Sequence, residues 1–369
     1  MSPARFARLR LARSGGVGPV GYRKAVAKYG GAEAALAAFG QWARKGQALA
    51  TEDRVRRELE QLERAGGTLL LWGEDDYPAQ LAELPDAPLA LSVLGDVRHL
   101  HARQVALVGN RNASAAGLTW SRDLATALAG AGVVVTSGLA RGIDTAAHEG
   151  ALRAGGATVA VVAGGVDHIY PPENAKLRAA IIANGAVISE QAWGMAPTAQ
   201  MFPRRNRIIA GLSVGVAVSE ATRHSGSLIS AQCALDYGRE VWAVPGSPSD
   251  PRAGGPNWLL KNGATLVEGV ADILAELPTR PAPYVARAVQ PALLEERHML
   301  EDEVEIDETA PLPASPRAAV YELLGPTPVE VDTLVRQCGL REHELTTLLV
   351  ELEMEGHTTR EADGRWRRG

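Results

Sequence analysis

Apolar positions along this chain change their spacing three times, and each change marks a different kind of structure. Up to residue 67 they recur three or four apart over 22–29 and 52–65, with an alanine-rich run at 32–39 between, and Gly15-Gly16, Gly30-Gly31 and Gly66-Gly67 punctuate them. That is the signature of short helices, so 1–67 is expected to be a small helical domain. From residue 68 the runs become continuous, first at 68–72 and then at 89–94 beyond the Pro85 to Pro88 turn. From 104 onward, valine-rich runs at 105–108, 132–136, 158–162, 186–189, 214–218, 240–244 and 264–267 alternate with longer stretches, of which 118–128 and 143–154 have helical character. A strand that is apolar at every position must be covered on both faces, which a parallel sheet flanked by helices achieves. The predicted fold is α/β over 68–275: a Rossmann-like, mostly parallel, doubly wound sheet.

The periodicity then lapses. Residues 276–315 hold prolines at 278, 281, 283, 291, 311 and 313, and 291–310 carries 8 acidic residues against one arginine, the composition of a linker. A compact tail follows at 316–369, with helical runs at 318–324, 331–338 and 341–355 and then a short hairpin around Gly364. Three helices and a hairpin make a winged-helix-like domain.

Composition narrows the function classes. A chain of 369 residues, 46% hydrophobic and 22% charged, can bury a sizeable core in two or three domains. No run is long enough to span a bilayer, and the start lacks the apolar core of a signal peptide. Cys233 and Cys338 have no metal-ligand neighbours, so a reducing cytoplasm and no metal or cofactor are expected. The net charge of -5 hides an uneven distribution: 13 basic against 6 acidic residues up to residue 70, and 14 against 12 over 102–275. Binding of a polyanion would therefore rest on local arrangement rather than on a globally basic protein.

Local arrangement is where the chain is most distinctive. Phe202-Pro-Arg-Arg-Asn-Arg-Ile-Ile-Ala-Gly-Leu212 places Arg204, Arg205, Asn206 and Arg207 together and runs straight into residues that must be buried. Guanidinium groups stay charged and offer a rigid fork of donors to phosphate oxygens, so these arginines are expected at the rim of an anion site, with Glu190 and Glu220 as alternative partners. In a doubly wound sheet, ligands sit beyond the carboxyl ends of the strands. Arg111 follows the first strand there, Ser137, Gly138 and Arg141 follow the second, and Ser225, Gly226 and Ser227 open a helix whose N–H groups and dipole favour an anion. The Gly15 to Gly18 turn is a further place where backbone N–H groups could meet a phosphate. Asp144 and His148 stand four apart on one helical face, either as an acid–base pair or as a cap and a core histidine. Neither a Gly-x-Gly-x-x-Gly fingerprint nor a Gly-Lys-Ser/Thr phosphate loop is present, and Ser137 has no base at a defined spacing. The residues describe a binding groove with no catalytic set.

Taken in order, Val108-Gly-Asn-Arg111, Ser137-Gly-Leu-Ala-Arg-Gly-Ile-Asp-Thr-Ala-Ala-His148, Gly164-Gly-Val-Asp-His-Ile-Tyr-Pro-Pro-Glu-Asn174, the 202–212 segment, Ser225-Gly-Ser-Leu-Ile229 and Val244-Pro-Gly246 resemble the bacterial DNA-processing family DprA, also called Smf. Asn110 stands where that family usually has serine, and 191–197 departs from its Glu-Tyr/Phe-Pro pattern. The resemblance implies a sterile-alpha-motif-like or helix-hairpin-helix-like N-terminal domain and a C-terminal winged helix. It also implies a homodimer joined through the Rossmann-like domain. It further implies binding of single-stranded DNA, protection of incoming DNA, and loading of the RecA recombinase during natural transformation. Arg111, Ser137, Gly138, Arg141, Arg204, Asn206, Arg207, Ser225 and Ser227 would then lie near the DNA. Two rival classes are a phosphoribohydrolase-type enzyme and a protein adaptor with no DNA affinity. Against the first, Ser225-Gly-Ser-Leu-Ile-Ser230 has neither the glycine density nor the glutamate of that group's phosphate motif.

Overall fold

The computed structural model describes residues 1–277 and 313–369, so most of the expected 276–315 linker lies outside the described residues. The helical start is built on strong local signals. Helix α1 (Pro3–Ala12) is capped by Ser2, whose hydroxyl accepts from Arg5 N, and Pro3 opens it. Helix α2 (Pro19–Tyr29) stops at Gly30, which takes the left-handed φ of 79° that ends helices at little cost when the residue is glycine. Short helices α3 (Ala32–Ala37) and α4 (Phe39–Trp42) follow, and α5 (Glu52–Arg64), capped by Thr51, buries Val55 and Leu62; α6 (Ala79–Ala82) is a single turn that buries Leu81. In the Gly15 to Gly18 turn, named above as a place where N–H groups could meet a phosphate, Gly15 N donates to Ala48 O at 2.8 Å on the chain before α5 and Val17 N to Ser14 O at 3.2 Å.

Nine strands form one sheet in the order β1-β2-β6-β5-β4-β3-β7-β8-β9. The edge strands β1 (Thr68–Leu71) and β2 (Ala90–Gly95) are antiparallel; β3 (Gln104–Val108), β4 (Val134–Ser137), β5 (Thr158–Val161), β6 (Ala186–Ser189), β7 (Gly215–Val218), β8 (Glu240–Ala243) and β9 (Thr265–Leu266) are mutually parallel. Both faces are covered, as the unbroken apolar runs require. Val105 and Leu107 of β3 join the core under α7 (Ala115–Gly130) and α8 (Ile143–Arg153), whereas Ala106 and Val108 join the core under α10 (Met201–Leu212) and α11 (Ser227–Asp236). Helix α9 (Ala175–Asn184) leads into β6, and α12 (Gly254–Lys261) and α13 (Val270–Glu276) complete the layers.

The helical domain packs on the antiparallel edge. Leu9, Val55 and Leu62 share a core with Leu69, Leu71, Ala90 and Leu94. Arg13 and Glu58, with side chains only 6% and 4% exposed, form a buried ion pair at 2.7 Å, and Arg13 Nη1 also donates to Glu190 O. The tail folds as helices Pro316–Leu323, Val331–Cys338 and Glu342–Met354 and the hairpin Thr358–Arg360 with Trp366–Arg368, the winged arrangement expected. Ala115, the first residue of α7, is part of that domain's own core with Val320, Leu324 and Leu334, so the two units are packed together.

Candidate nucleic-acid interface

The chain runs from β3 through β4 and β5 to β6 on one side, then returns to place β7 on the other side of β3. The carboxyl ends of β3 and β7 are therefore the switch point at which open α/β sheets form a crevice. Two helices begin there, and their N-termini differ. At α7 the positive end is already occupied: the Glu220 carboxylate accepts from Ser114 N at 2.8 Å and Ser114 Oγ at 2.5 Å. A Cβ on Gly117 would lie 2.5 Å from that carboxylate, so the close approach needs glycine. At α11 no carboxylate among the described residues takes this place: Gly226 is the N-cap, Ser227 N donates to Ser225 Oγ at 3.4 Å, Leu228 N to Ser225 O at 3.0 Å and Ile229 N to Gly226 O at 3.2 Å, while the Ser225 and Ser227 hydroxyls lie 2.7 Å apart and Asn206 Nδ2 holds Gly226 O at 3.0 Å.

This end of α11 opens into a cleft of about 500 Å³. Arg111, Arg205, Asn206, Ser225, Gly226 and Ser227, all named from the sequence, line it. The Arg111 guanidinium lies 5.5 Å from the centroid of the Phe202 ring and Arg205 5.7 Å from it, so the ring is bracketed by two cations. Asn110 lies beside Arg111 and joins the two loops: its N–H donates to Glu220 O at 2.6 Å and its side-chain oxygen accepts from Thr222 N at 3.3 Å.

The three arginines of the 204–207 run do not form one wall, because the run is helical. Consecutive residues of a helix point about 100° apart. Arg204 is exposed to solvent. Arg205 is buried, and its guanidinium donates to Gly138 O and to Val161 O at 2.7 Å, while Nε reaches Asn206 Oδ1 at 3.0 Å. Arg207 turns to the opposite side, where it grips both Glu190 oxygens at 2.6 Å and Asp86 O at 2.6 Å. Burial pulls the Arg207 pKa down, but Glu190 and Asp86 outweigh it and the group is held above its ordinary value. Glu190, named above as an alternative partner, thus takes Arg207; Glu220 takes a helix end and not an arginine.

The remaining expected site residues divide in the same way. Ser137 is fully buried, and its hydroxyl donates to Leu107 O at 2.6 Å. Gly138 gives its N–H to Asp144 at 3.1 Å, and a Cβ there would strike the Arg205 guanidinium at 2.1 Å. Arg141 pairs with Glu173, whose carboxylate that hydrogen bond holds below its ordinary range. Asp144 also accepts from Ala140 N at 3.4 Å; burial raises its pKa, with Arg205 opposing. His148 is fully buried, with Nδ1 2.7 Å from Thr158 Oγ1. Asp144 caps a loop and His148 sits in the core, so the pair does not face the cleft together.

Sequence reasoning missed several groups on the cleft, among them Asp250 and Arg252 on the loop beyond β8. His224 precedes Ser225 in the same turn and is exposed, and its neighbourhood alone could have marked it. Glu322 and Arg368 come from the winged domain and no local pattern points to them. Among the described residues there is no group of His, Cys, Asp and Glu suited to a metal, and no helix is long and apolar enough to cross a membrane.

Comparison with known proteins identifies the fold and the family. A family profile described as DNA recombination-mediator protein A matches residues 68–278, a DprA-like N-terminal HHH domain matches 2–60, and a DprA winged helix domain matches 306–364. Protein Smf of Escherichia coli (strain K12) is 40% identical over 299 residues, covering 80% of this chain and 76% of that protein. DNA processing protein DprA of Bacillus subtilis (strain 168) is 43% identical over 209 residues, 56% of this chain and 70% of its own. The X-ray structure of DprA from Streptococcus pneumoniae superimposes with a TM-score of 0.66 at 32% identity, covering 76% of this chain and 100% of the other. A Helicobacter pylori DprA structure, described for the unique single-stranded DNA binding mode of that protein, gives a TM-score of 0.52 at 30% identity over 57% of this chain and 95% of its own. With the central profile spanning more than half the chain and the two terminal ones flanking it in order, the chain belongs to the DNA-processing protein A family, DprA or Smf.

Proposed function

We propose that this protein binds single-stranded DNA along the switch-point cleft, protects incoming DNA, and loads the RecA recombinase onto it during natural transformation and recombination. It would act in the cytoplasm as a homodimer joined through the Rossmann-like domain. The observation that carries the reading is one cleft lined by the Arg111 guanidinium and by the Ser225 and Ser227 hydroxyls at the positive end of α11, where no carboxylate of the described residues sits. Hydroxyls, a helix dipole and a guanidinium recognise phosphate oxygens and carry no base code, so binding tolerates sequence and weakens as salt rises. The single-stranded DNA named for the Helicobacter pylori relative supports the same ligand. Helix Glu342–Met354 carries four glutamates and no lysine or arginine, which disfavours its use as a duplex-reading helix.

A binding role without chemistry is part of this proposal. Ser137 is committed to Leu107 O, Asp144 to two backbone N–H groups and His148 to Thr158, which leaves the nucleophile and base candidates occupied. Fluorescence anisotropy with two unrelated single strands and one duplex, at two salt concentrations, tests the reading. Arg111→Ala is expected to weaken both single strands by about tenfold, the scale of one hydrogen bond to a charged group. Equal binding by parent and variant would remove the cleft assignment. Solution mass reports the dimer, and RecA nucleation on a strand coated with single-strand-binding protein reports the loader. A monomer, or nucleation no faster with the protein present, would strike out that part alone.

A further inference from the structure

The cleft has a wall that the main domain does not supply. Glu322 and Arg368 of the winged domain line it together with Arg111 and Ser225. The domain is seated there by specific contacts. Arg252, on the loop beyond β8 and only 8% exposed, chelates Asp250 and donates to Glu322 O at 2.9 Å and Leu324 O at 3.0 Å. Gln337 Nε2 reaches Ala115 O at 3.2 Å and Thr119 Oγ1 at 3.3 Å. Gly325 approaches so closely that a Cβ would stand 3.1 Å from the Arg252 guanidinium.

Arg368 is held at this wall by its own domain. Its guanidinium stacks 4.2 Å from the centroid of the Tyr321 ring, Nη2 donates to Tyr321 O at 2.8 Å, and its backbone N–H donates to Gly325 O at 2.8 Å. No carboxylate pairs with it among the described residues, in contrast to Arg252, Arg365 and Arg367, which pair with Asp250, Asp363 and Glu361. Its Nε is buried with no partner among the described residues, which leaves the Nη groups as donors toward the cleft. An arginine held over a ring at an anion cleft, with no carboxylate to neutralise it, is preorganised to take a phosphate.

We infer that the winged domain is a wall of the DNA groove, that Arg368 contacts a phosphate of the bound strand, and that Glu322 beside it opposes binding. This rests on the single-stranded DNA reading above. Each phosphate that a protein neutralises on a single strand steepens the fall of log K with log salt by about 0.7. In the full chain, Arg368→Gln keeps a donor for Tyr321 O and removes the charge; it is expected to weaken binding three- to tenfold and to reduce the slope by about 0.7. Arg368→Lys is expected to keep the parent slope, and Glu322→Gln to bind more tightly than the parent. Arg365→Ala, on the same hairpin but paired with Asp363 outside the cleft, is expected to leave the slope unchanged.

The arms separate the two ideas. An Arg368→Gln protein that binds with parental affinity and slope, while Arg111→Ala binds weakly, overturns the winged-domain wall and leaves the cleft standing. Parental binding by both variants overturns the cleft itself. Weaker binding by Arg368→Gln without a change of slope also overturns the phosphate contact, because it marks a disturbed domain rather than a missing charge.

Discussion

His148 shows how a residue typical of active sites can belong to the core. Thr158 donates its hydroxyl to Val135 O at 2.6 Å, so it can only accept from His148 Nδ1, which fixes the proton on that nitrogen. Nε2 is buried with no partner among the described residues, and burial, with Arg205 adding to it, pushes the pKa down to about 3. The folded protein therefore keeps this imidazole neutral where the unfolded chain protonates it, near pH 6.5. A depressed pKa gives stability that is complete above about pH 6.5 and is lost as pH falls toward 3. At pH 5.5 the loss from this one group amounts to about 1.4 kcal/mol. Urea unfolding at pH 7.5 and 5.5 checks it: the parent should lose about that much, and His148→Gln should lose measurably less between the two pH values. Equal losses would assign the acid sensitivity elsewhere. Asp144, whose pKa burial raises, acts with the opposite sign at lower pH, since its folded form holds a proton longer than the unfolded chain does.

At the scale of elements, the site depends on how closely two loops approach. Gly142 has φ 73° and ψ -125° at the start of α8, and a Cβ there would meet Asn110 O at 2.2 Å and Arg111 O at 2.4 Å. Gly142→Ala should destabilise the protein by about 1–3 kcal/mol from the backbone conformation alone, with the clash added, and should push Arg111 out of the cleft. A lower urea midpoint together with weaker single-strand binding is the expected pair of results; a parental midpoint would show that the loops can part without cost. The strands around these loops were legible because runs such as Val105-Ala-Leu-Val108 admit no exposed face. Arg111, Asn206, Ser225 and Ser227 were legible because each follows a strand end or opens a helix at the predicted edge. The arginine run divides among different partners for a geometric reason. A linear cluster does not say which way each side chain points, and on α10 Arg204 and Arg207 are about 60° apart while Arg205 points away from Arg207. One is left in solvent, one clamps the β4 and β5 loops, and one is neutralised by Glu190.

For the whole molecule, the question is what keeps the domains in one arrangement. The helical domain is fixed by a shared apolar core, by Arg13 Nη1 donating to Glu190 O and by the Arg5–Glu74 pair, none of them among the residues that line the cleft. The winged domain is held by a smaller set, in which Arg252 is the polar centre. No sequence pattern could have reported this, because Arg252 and the carbonyls it holds are some seventy residues apart and neither lies in a recognisable motif. Arg252→Ala removes two hydrogen bonds from a charged donor, each contributing about 1.5–3 kcal/mol, and leaves Asp250 without its cation. The sheet and its cores are untouched, so the main unfolding transition should move little while the winged domain separates from α7. Hydrogen exchange across 319–325 and the first turn of α7 should then quicken, and the scattering radius should increase. Because Arg368 moves with that domain, the variant should also show the lower salt slope of Arg368→Gln; Arg252 lines the cleft too, but Asp250 takes its charge. Exchange and radius equal to the parent would mean that Gln337 and the apolar contact at Ala115 are enough to seat the domain.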